Sequence, residues 1–343
     1  MRTLWTIFIS LIALTGCTAP TDRYTFEHRQ MGTAFRLVLY GSDAKSATEA
    51  AAAAWQRVDR LNAIMSDWDP RSELSKLSAT AGSGRAVRLS QPLWAILSRS
   101  KQWSERTDGA FDITVGPAVH LWRRYRRQQK MPPKHRLETA RRAIGYQKLL
   151  LDPENRTATL TAPNMRLDLG AIAKGHAADE VLRIVQQAGF ASALVDAGGD
   201  VVLGAPPPGR AGWRVALMPH PTQGTRRYLI ASDCAVATSG DAFRYTLIDG
   251  VRYSHIVNPK TAIGLVDAPA VTAVAPTGQM ADALASSLSV LGVRHGLAFI
   301  EKIDGASAMM VLPPQAGGTV HFSKGFLKLR TTKAEPDKKT AAP

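Results

Sequence analysis

The sequence predicts an α+β fold, and three observations predict it. Long segments with apolar residues every three or four positions read as amphipathic helices, and short β-branched runs between them read as strands. The two kinds do not follow the strict strand–helix–strand order of a doubly wound sheet, and no repeat occurs at solenoid periods. The composition, 45% hydrophobic and 21% charged over 343 residues, is that of a folded chain able to bury a substantial core. Forty-three Lys and Arg against 28 Asp and Glu leave a formal charge of +15. That excess suits nucleic acid, an anionic membrane surface or a phosphorylated ligand, and by itself selects none of them. Only two cysteines occur, Cys17 and Cys234, which excludes a disulfide framework.

The first residues are read as a targeting signal. Arg2 precedes an uncharged stretch from Thr3 to Gly16, too short for a bilayer-spanning helix of ~20 residues. Leu14-Thr15-Gly16-Cys17 resembles the bacterial lipoprotein cleavage box. The resemblance implies a signal peptide over residues 1–16, a diacylated Cys17, and residues 17–30 as a lipidated tether. A periplasmic, membrane-anchored location follows, and nucleic acid is not expected as a partner. Thr18, where an Asp would favour inner-membrane retention, tilts the expectation towards the outer membrane.

Beyond the tether, residues 35–40 predict a strand. Ser42 or Asp43 caps a long helix whose stripe runs Ala47, Ala51, Ala54, Val58, Leu61, Ile64. A second helix opens with Pro92 in its first turn and ends by Gly109. Residues 147–152 and 156–161 form a hairpin around Asp152-Pro153-Glu154-Asn155, and residues 172–188 a helix ending at Gly189. Strands follow near 193–196, 201–203, 213–218, 235–238 and 271–275. A helix over 278–291, another up to about 303 and a strand at 308–312 complete the domain, and the tail after Arg330 is expected to be disordered.

Zinc, serine-hydrolase and dinucleotide-binding signatures are absent, and Gly170-Ala171-Ile172-Ala173-Lys174-Gly175-His176 is not a phosphate-binding P-loop. Other groups could carry chemistry. Asp282 and Ser286, four apart on a helix, project hard oxygens from one face, as Mg²⁺ requires. Asp168 stands at a strand end before a helix whose first N–H groups suit an anion, with Lys174 as a point charge. His255, beside an Asn258-Pro259 turn, is a loop-edge imidazole able to take a proton. Trp68 could stack on a planar ring. The run from Arg123 through Arg124, Arg126, Arg127, Lys130 and Lys134 to Arg136 reads as a solvated basic face, or as a surface for anionic lipid or an acidic partner.

Each feature singly has an ordinary structural explanation. Together and in order they are far more specific. Met31-Gly32-Thr33, Gly109-Ala-Phe-Asp-Ile-Thr-Val-Gly-Pro117, Asp168-Leu-Gly-Ala-Ile-Ala-Lys-Gly175, Ala197-Gly-Gly-Asp200, Thr238-Ser-Gly-Asp241 and Ser254-His-Ile-Val-Asn-Pro259 resemble the ApbE family of FAD:protein FMN transferases, from Met31 to about Leu312. The resemblance implies one T-fold-type domain over residues 31–330, with 331–343 as tail. FAD, the substrate, would contact Met31, Trp68, Ala110, Phe111, Asp112, Asp168, Lys174 and Ile256. Mg²⁺ would be held by the Ala171 carbonyl, Asp282 and Ser286, the last usually Thr in the family. His255 would activate the acceptor hydroxyl. The implied reaction moves FMN onto a Thr or Ser of a partner protein, such as a respiratory redox subunit, with release of AMP. An FAD pyrophosphatase and a non-catalytic, lipid-anchored FAD-binding protein are the alternatives.

Overall fold

In the computed structural model, which describes residues 21–218, 227–240 and 245–333, the described chain opens as a hairpin. Strand β1 (Asp22–Gln30) pairs antiparallel with β2 (Thr33–Gly41) through the two-residue turn Met31-Gly32. Both turn residues have positive φ, 52° and 73°, the geometry that matches the right-handed twist of the flanking strands. Residues 22–30 are therefore an edge strand and not tether. The polar look of the segment comes from Arg23, Thr25, Glu27 and Arg29 on the solvent face, while Tyr24, Phe26 and His28 turn inward. Residues 1–20, with Cys17 and the signal peptide, lie outside the described residues.

Helix α1 (Ala44–Met65) begins where Asp43 accepts the Lys45 and Ser46 N–H groups, and its alanine stripe is buried. Short α2 (Glu73–Ser78) leads to β3 (Val87–Arg88), and α3 (Gln91–Arg106) is capped by Ser90. Helices α4 (Gly116–Arg127) and α5 (Lys134–Ala143) follow, neither anticipated from the sequence, where their basic residues mask the apolar positions. The expected hairpin is β4 (Leu149–Asp152) with β5 (Thr157–Leu160), and β3 joins it.

Helix α6 (Ala173–Gln187) is followed by β6 (Ala193–Ala197), β7 (Val201–Leu203), β8 (Trp213–Ala216), β9 (Arg227–Ala231) and β10 (Cys234–Ser239). The sheet of β11 (Tyr245–Ile248), β12 (Val251–Val257) and β13 (Gly264–Val266) comes next, then β14 (Ala270–Ala275). Helix α7 (Gly278–Ile300) is broken by non-helical Gly292, so the expected pair of helices is present. The chain ends with β15 (Ser307–Val311), β16 (Val320–Phe322), α8 (Lys324–Leu327) and β17 (Thr331–Lys333). Strand β17 pairs with β9, so the expected disordered tail begins no earlier than residue 334, and the remainder of it lies outside the described residues.

The architecture is three-layered. An eight-stranded sheet, ordered β1-β2-β6-β7-β10-β14-β15-β16 and antiparallel throughout, carries α1, α6 and α7 on one face. Phe35, Leu37 and Leu39 point into that helical core, whereas Val38, Val236, Val274 and Met309 pack on the other face against Trp213, Val215 and Leu229 of the β17-β9-β8 sheet. Covering on both faces explains why β14, Ala-Val-Thr-Ala-Val-Ala, is apolar nearly throughout and wholly buried. A separate small core under α4 and α5 (Ala118, Trp122, Ala140, Ile144) meets Ile248 and Val257 of the β11–β13 sheet.

Candidate active site

The site begins where α6 crosses α7. A Cβ on Gly175 would lie 2.1 Å from the Gly278 carbonyl oxygen, so the backbones touch only because both residues lack side chains. Asp179 fastens the crossing by accepting the Gly278 and Gln279 N–H groups at 2.6 and 2.9 Å. It serves the start of α7, and burial pushes its carboxyl up to about 6. The crossing sets Lys174 of α6 against Asp282 of α7, at 3.4 Å, and against Asp200 after β6. Asp282 also accepts the Gly175 N–H at 3.3 Å, so this carboxylate takes part of the helix-start anion site expected for a ligand.

Two buried carboxylates thus share one ammonium. Burial works against the charge on Lys174, but Asp282 and Asp200 outweigh it and hold the amine above its ordinary value. Burial and repulsion from Asp282 raise the Asp200 carboxyl, which Lys174 only partly offsets. With all three ionised, the trio keeps a net negative charge in a desolvated place, which a proton on Asp200 or a further cation relieves. Ser286, one turn along α7, and Ala171 line the same cavity, so the available donors are hard oxygens of the kind Mg²⁺ takes. Among the described residues no group of three or more His, Cys, Asp and Glu is arranged to hold a metal ion by side chains alone.

The second wall is the 110–115 loop and the segment at 168. Asp112 is buried, and its two oxygens accept from Thr114 N and Oγ1 and from Tyr146 N at 2.7–2.9 Å. Burial raises its carboxyl despite those donors. Asp112 therefore shapes the loop that brings Ala110 and Phe111 to the cavity lining. Asp168 does not end a regular strand. A single bridge between Val115 and Arg166 and the bond from Asp168 N to Ile113 O, 2.8 Å, hold it in place. Its carboxylate accepts Gly170 N at 2.8 Å and Arg123 at 3.2 Å.

Arg123 is the main departure from the sequence reading. It does not belong to a solvated face: its guanidinium lines the cavity, bridges Asp168 and Asp67 (3.1 Å), and lies over the Trp68 ring at 4.7 Å. Burial works against the Asp67 charge, yet His120, at 3.3 Å, and Arg123 hold that carboxyl below the ordinary range. Trp68 itself is 61% exposed, lies under the Arg123 guanidinium and is tilted against His120. The sequence signal that could have found this cluster is the three-residue spacing of His120 and Arg123 on one helix face.

His255 lies within β12 and not at a loop edge. The indole Nε1 of Trp122 donates to the Ser254 carbonyl at 2.9 Å, which ties this stretch to α4. Pairing with β13 slips between Tyr253 and Val257, and such irregularities re-aim side chains. His255 and Ile256 both line the cavity. At the rim the Met31-Gly32 turn meets Gly198, where a Cβ would lie 2.1 Å from Thr33 Oγ1.

One cavity of about 580 Å³ thus gathers Met31, Ala110, Phe111, Asp112, Asp168, Ala171, Lys174, His255, Ile256, Asp282 and Ser286 from segments up to 255 residues apart in sequence. That volume falls within the usual range of cofactor pockets. Trp68 alone of the expected site residues in the described chain is outside its lining. The sequence profile of the ApbE family matches residues 31–310. The chain belongs to the ApbE family. Proteins similar to it include the FAD:protein FMN transferase of Haemophilus influenzae, 28% identical with 94% of this chain and 96% of that one covered. The enzyme of the same name from Treponema pallidum is 31% identical, with 87% of each chain covered. Among solved structures, the flavin transferase ApbE of Vibrio cholerae superposes with a TM-score of 0.80 at 26% identity, covering 91% of this chain and all of that one. The ApbE fold accounts for the mixed helices and sheets described above.

Proposed function

We propose that this ApbE-family protein transfers FMN from FAD to a Ser or Thr hydroxyl of a partner polypeptide, releasing AMP. The observation that carries the reading is the convergence, in one cavity, of the Lys174–Asp200–Asp282 cluster with His255. Its relatives are named for FAD as donor and protein as acceptor. Asp282, Ser286 and the Ala171 carbonyl would hold Mg²⁺, which when bound supplies neutralisation of pyrophosphate charge. Lys174 steadies the phosphate oxygens with a charge fixed by its two carboxylates. His255 removes the proton as the hydroxyl oxygen bonds to the FMN phosphorus and the bridging oxygen leaves with AMP. General-base help of this kind is typically worth ~10²–10⁴-fold. Asp168, held by Arg123, borders the same cavity and positions the nucleotide.

Protein beginning after Cys17 is incubated with FAD, Mg²⁺ and a candidate flavin-acceptor domain. Covalent flavin is read as gel fluorescence surviving denaturation, with AMP quantified in the same tube. Matching covalent flavin and AMP support transfer. AMP alone makes the protein a pyrophosphatase, and neither product with FAD still bound makes it a binding protein. Asp282→Ala is expected to abolish turnover, and full activity in that variant refutes the metal assignment. We further infer that Cys17 is lipidated and anchors the protein in the periplasm, which mass spectrometry of the membrane-extracted chain would test.

A further inference from the structure

Arg141 and Arg142, at the end of α5, are not used by the site, and they border a second concavity. We infer that the groove between the end of α5 and the turn after β12 seats an extended acidic segment of the acceptor polypeptide. The inference rests on the transferase reading and extends it to how the acceptor is recognised.

The groove encloses about 600 Å³, and its lining includes Arg141 and Arg142 from the last turn of α5 together with Lys260. It shares Asp112 and Pro259 with the catalytic cavity, so the two adjoin. Pro259 is four residues beyond His255. A chain lying in the groove therefore borders the cavity that His255 lines.

Charge selects the occupant. The lining carries Arg141, Arg142 and Lys260 as its basic groups, and Glu138 is its one acid with neither an ion pair nor a hydrogen bond shown among the described residues. The other acidic groups of the lining are engaged: Asp108 pairs with Lys260 at 2.8 Å, and Asp112 turns inward to Thr114 and Tyr146. The Arg141 and Arg142 side chains make no ion pair among the described residues. The Asp108–Lys260 pair is exposed on both sides and exchanges readily for another carboxylate. A concave groove admits an extended chain, whereas a flat lipid surface cannot enter it.

The groove is also rigidly tied to the chemistry. Ile144 of its lining and Ala140 of α5 share a core with Trp122 and with Val257 of β12, the strand carrying His255. The bond from Trp122 Nε1 to Ser254 O joins the same two units. A segment docked on α5 is thus held in fixed register with His255, which is the positioning that group transfer needs.

The test uses the full mature chain loaded with FAD. The probe is a fluorescein-labelled peptide with one central Thr flanked by Asp and Glu, and a control peptide has Gln at those positions. Fluorescence anisotropy is recorded at low and high salt for the wild type and for the double variant Arg141→Glu, Arg142→Glu. The acidic peptide is expected to bind about tenfold tighter than the control, with salt weakening it. The variant is expected to lose about tenfold while quenching of FAD fluorescence on binding is unchanged. Equal affinity in wild type and variant overturns the proposal. So does a dependence on Arg141 and Arg142 seen only with phosphatidylglycerol vesicles. Because the readout needs no turnover, failure of the transferase reading shows separately, as peptide binding without covalent flavin.

Discussion

Replacing Arg123 with Met tests how much of the site depends on a residue that belongs to no motif. The guanidinium bridges Asp168 at 3.2 Å and Asp67 at 3.1 Å and covers the Trp68 ring at 4.7 Å. Asp168 is 8% exposed, so the substitution leaves a buried carboxylate with little beyond the Gly170 N–H. Breaking a fully buried pair costs 3–5 kcal/mol, but the arginine side chain is 29% exposed and water screens part of the loss. About 2 kcal/mol remains, with another ~0.5–1 kcal/mol from the lost cation–π contact. The combined effect, about 2–3 kcal/mol, is roughly 30- to 150-fold. Denaturant unfolding and FAD titration, run on the same preparations, divide it between stability and affinity. Arg123→Lys is expected to recover only part, since an ammonium cannot bridge two carboxylates and stack on an indole together. In an Asp168→Asn background the loss is expected to shrink, because the partner charge is gone. A variant that unfolds within 0.5 kcal/mol of wild type and binds FAD equally well refutes the bridging role.

Three further outcomes follow from the geometry. Gly175→Ala forces a methyl to within 2.1 Å of the Gly278 carbonyl, so thermal melting is expected to show a loss of about 3 kcal/mol or more despite the better helix former. Met31→Asn suits the positive φ of 52° and is expected to add about 1 kcal/mol of stability while weakening FAD binding, through loss of the thioether at the cavity rim. Burial holds the His176 imidazole below its ordinary 6.5, so the unfolded chain takes up the proton first as the pH falls. Its share of stability is present above pH 6.5 and is lost as the pH falls through the depressed folded value. Stability of His176→Asn measured across that window is expected to fall less steeply than that of the wild type, and an identical slope would count against it.

Local order was largely legible in the amino-acid sequence. The alanine stripe of α1, the Pro92 start of α3, the 152–155 turn and the break near Gly292 all follow from side-chain period and backbone chemistry within a few neighbouring residues. The motif residues Lys174, Asp282 and His255 could likewise be singled out, because their types and order are distinctive. What could not be read was direction. Residues 22–30 looked like tether because an edge strand shows half its residues to water. Arg123 looked like its neighbours in a charged run, although α4 turns it inward while Arg124 and Arg127 face solvent. The pairing of Lys174 with Asp282, 108 residues away, arises only where two glycines let α6 and α7 touch. A residue's type and spacing follow from the chain itself, but its partners are set by packing between distant segments, and charge is stabilised or penalised by whatever that packing brings within a few ångströms.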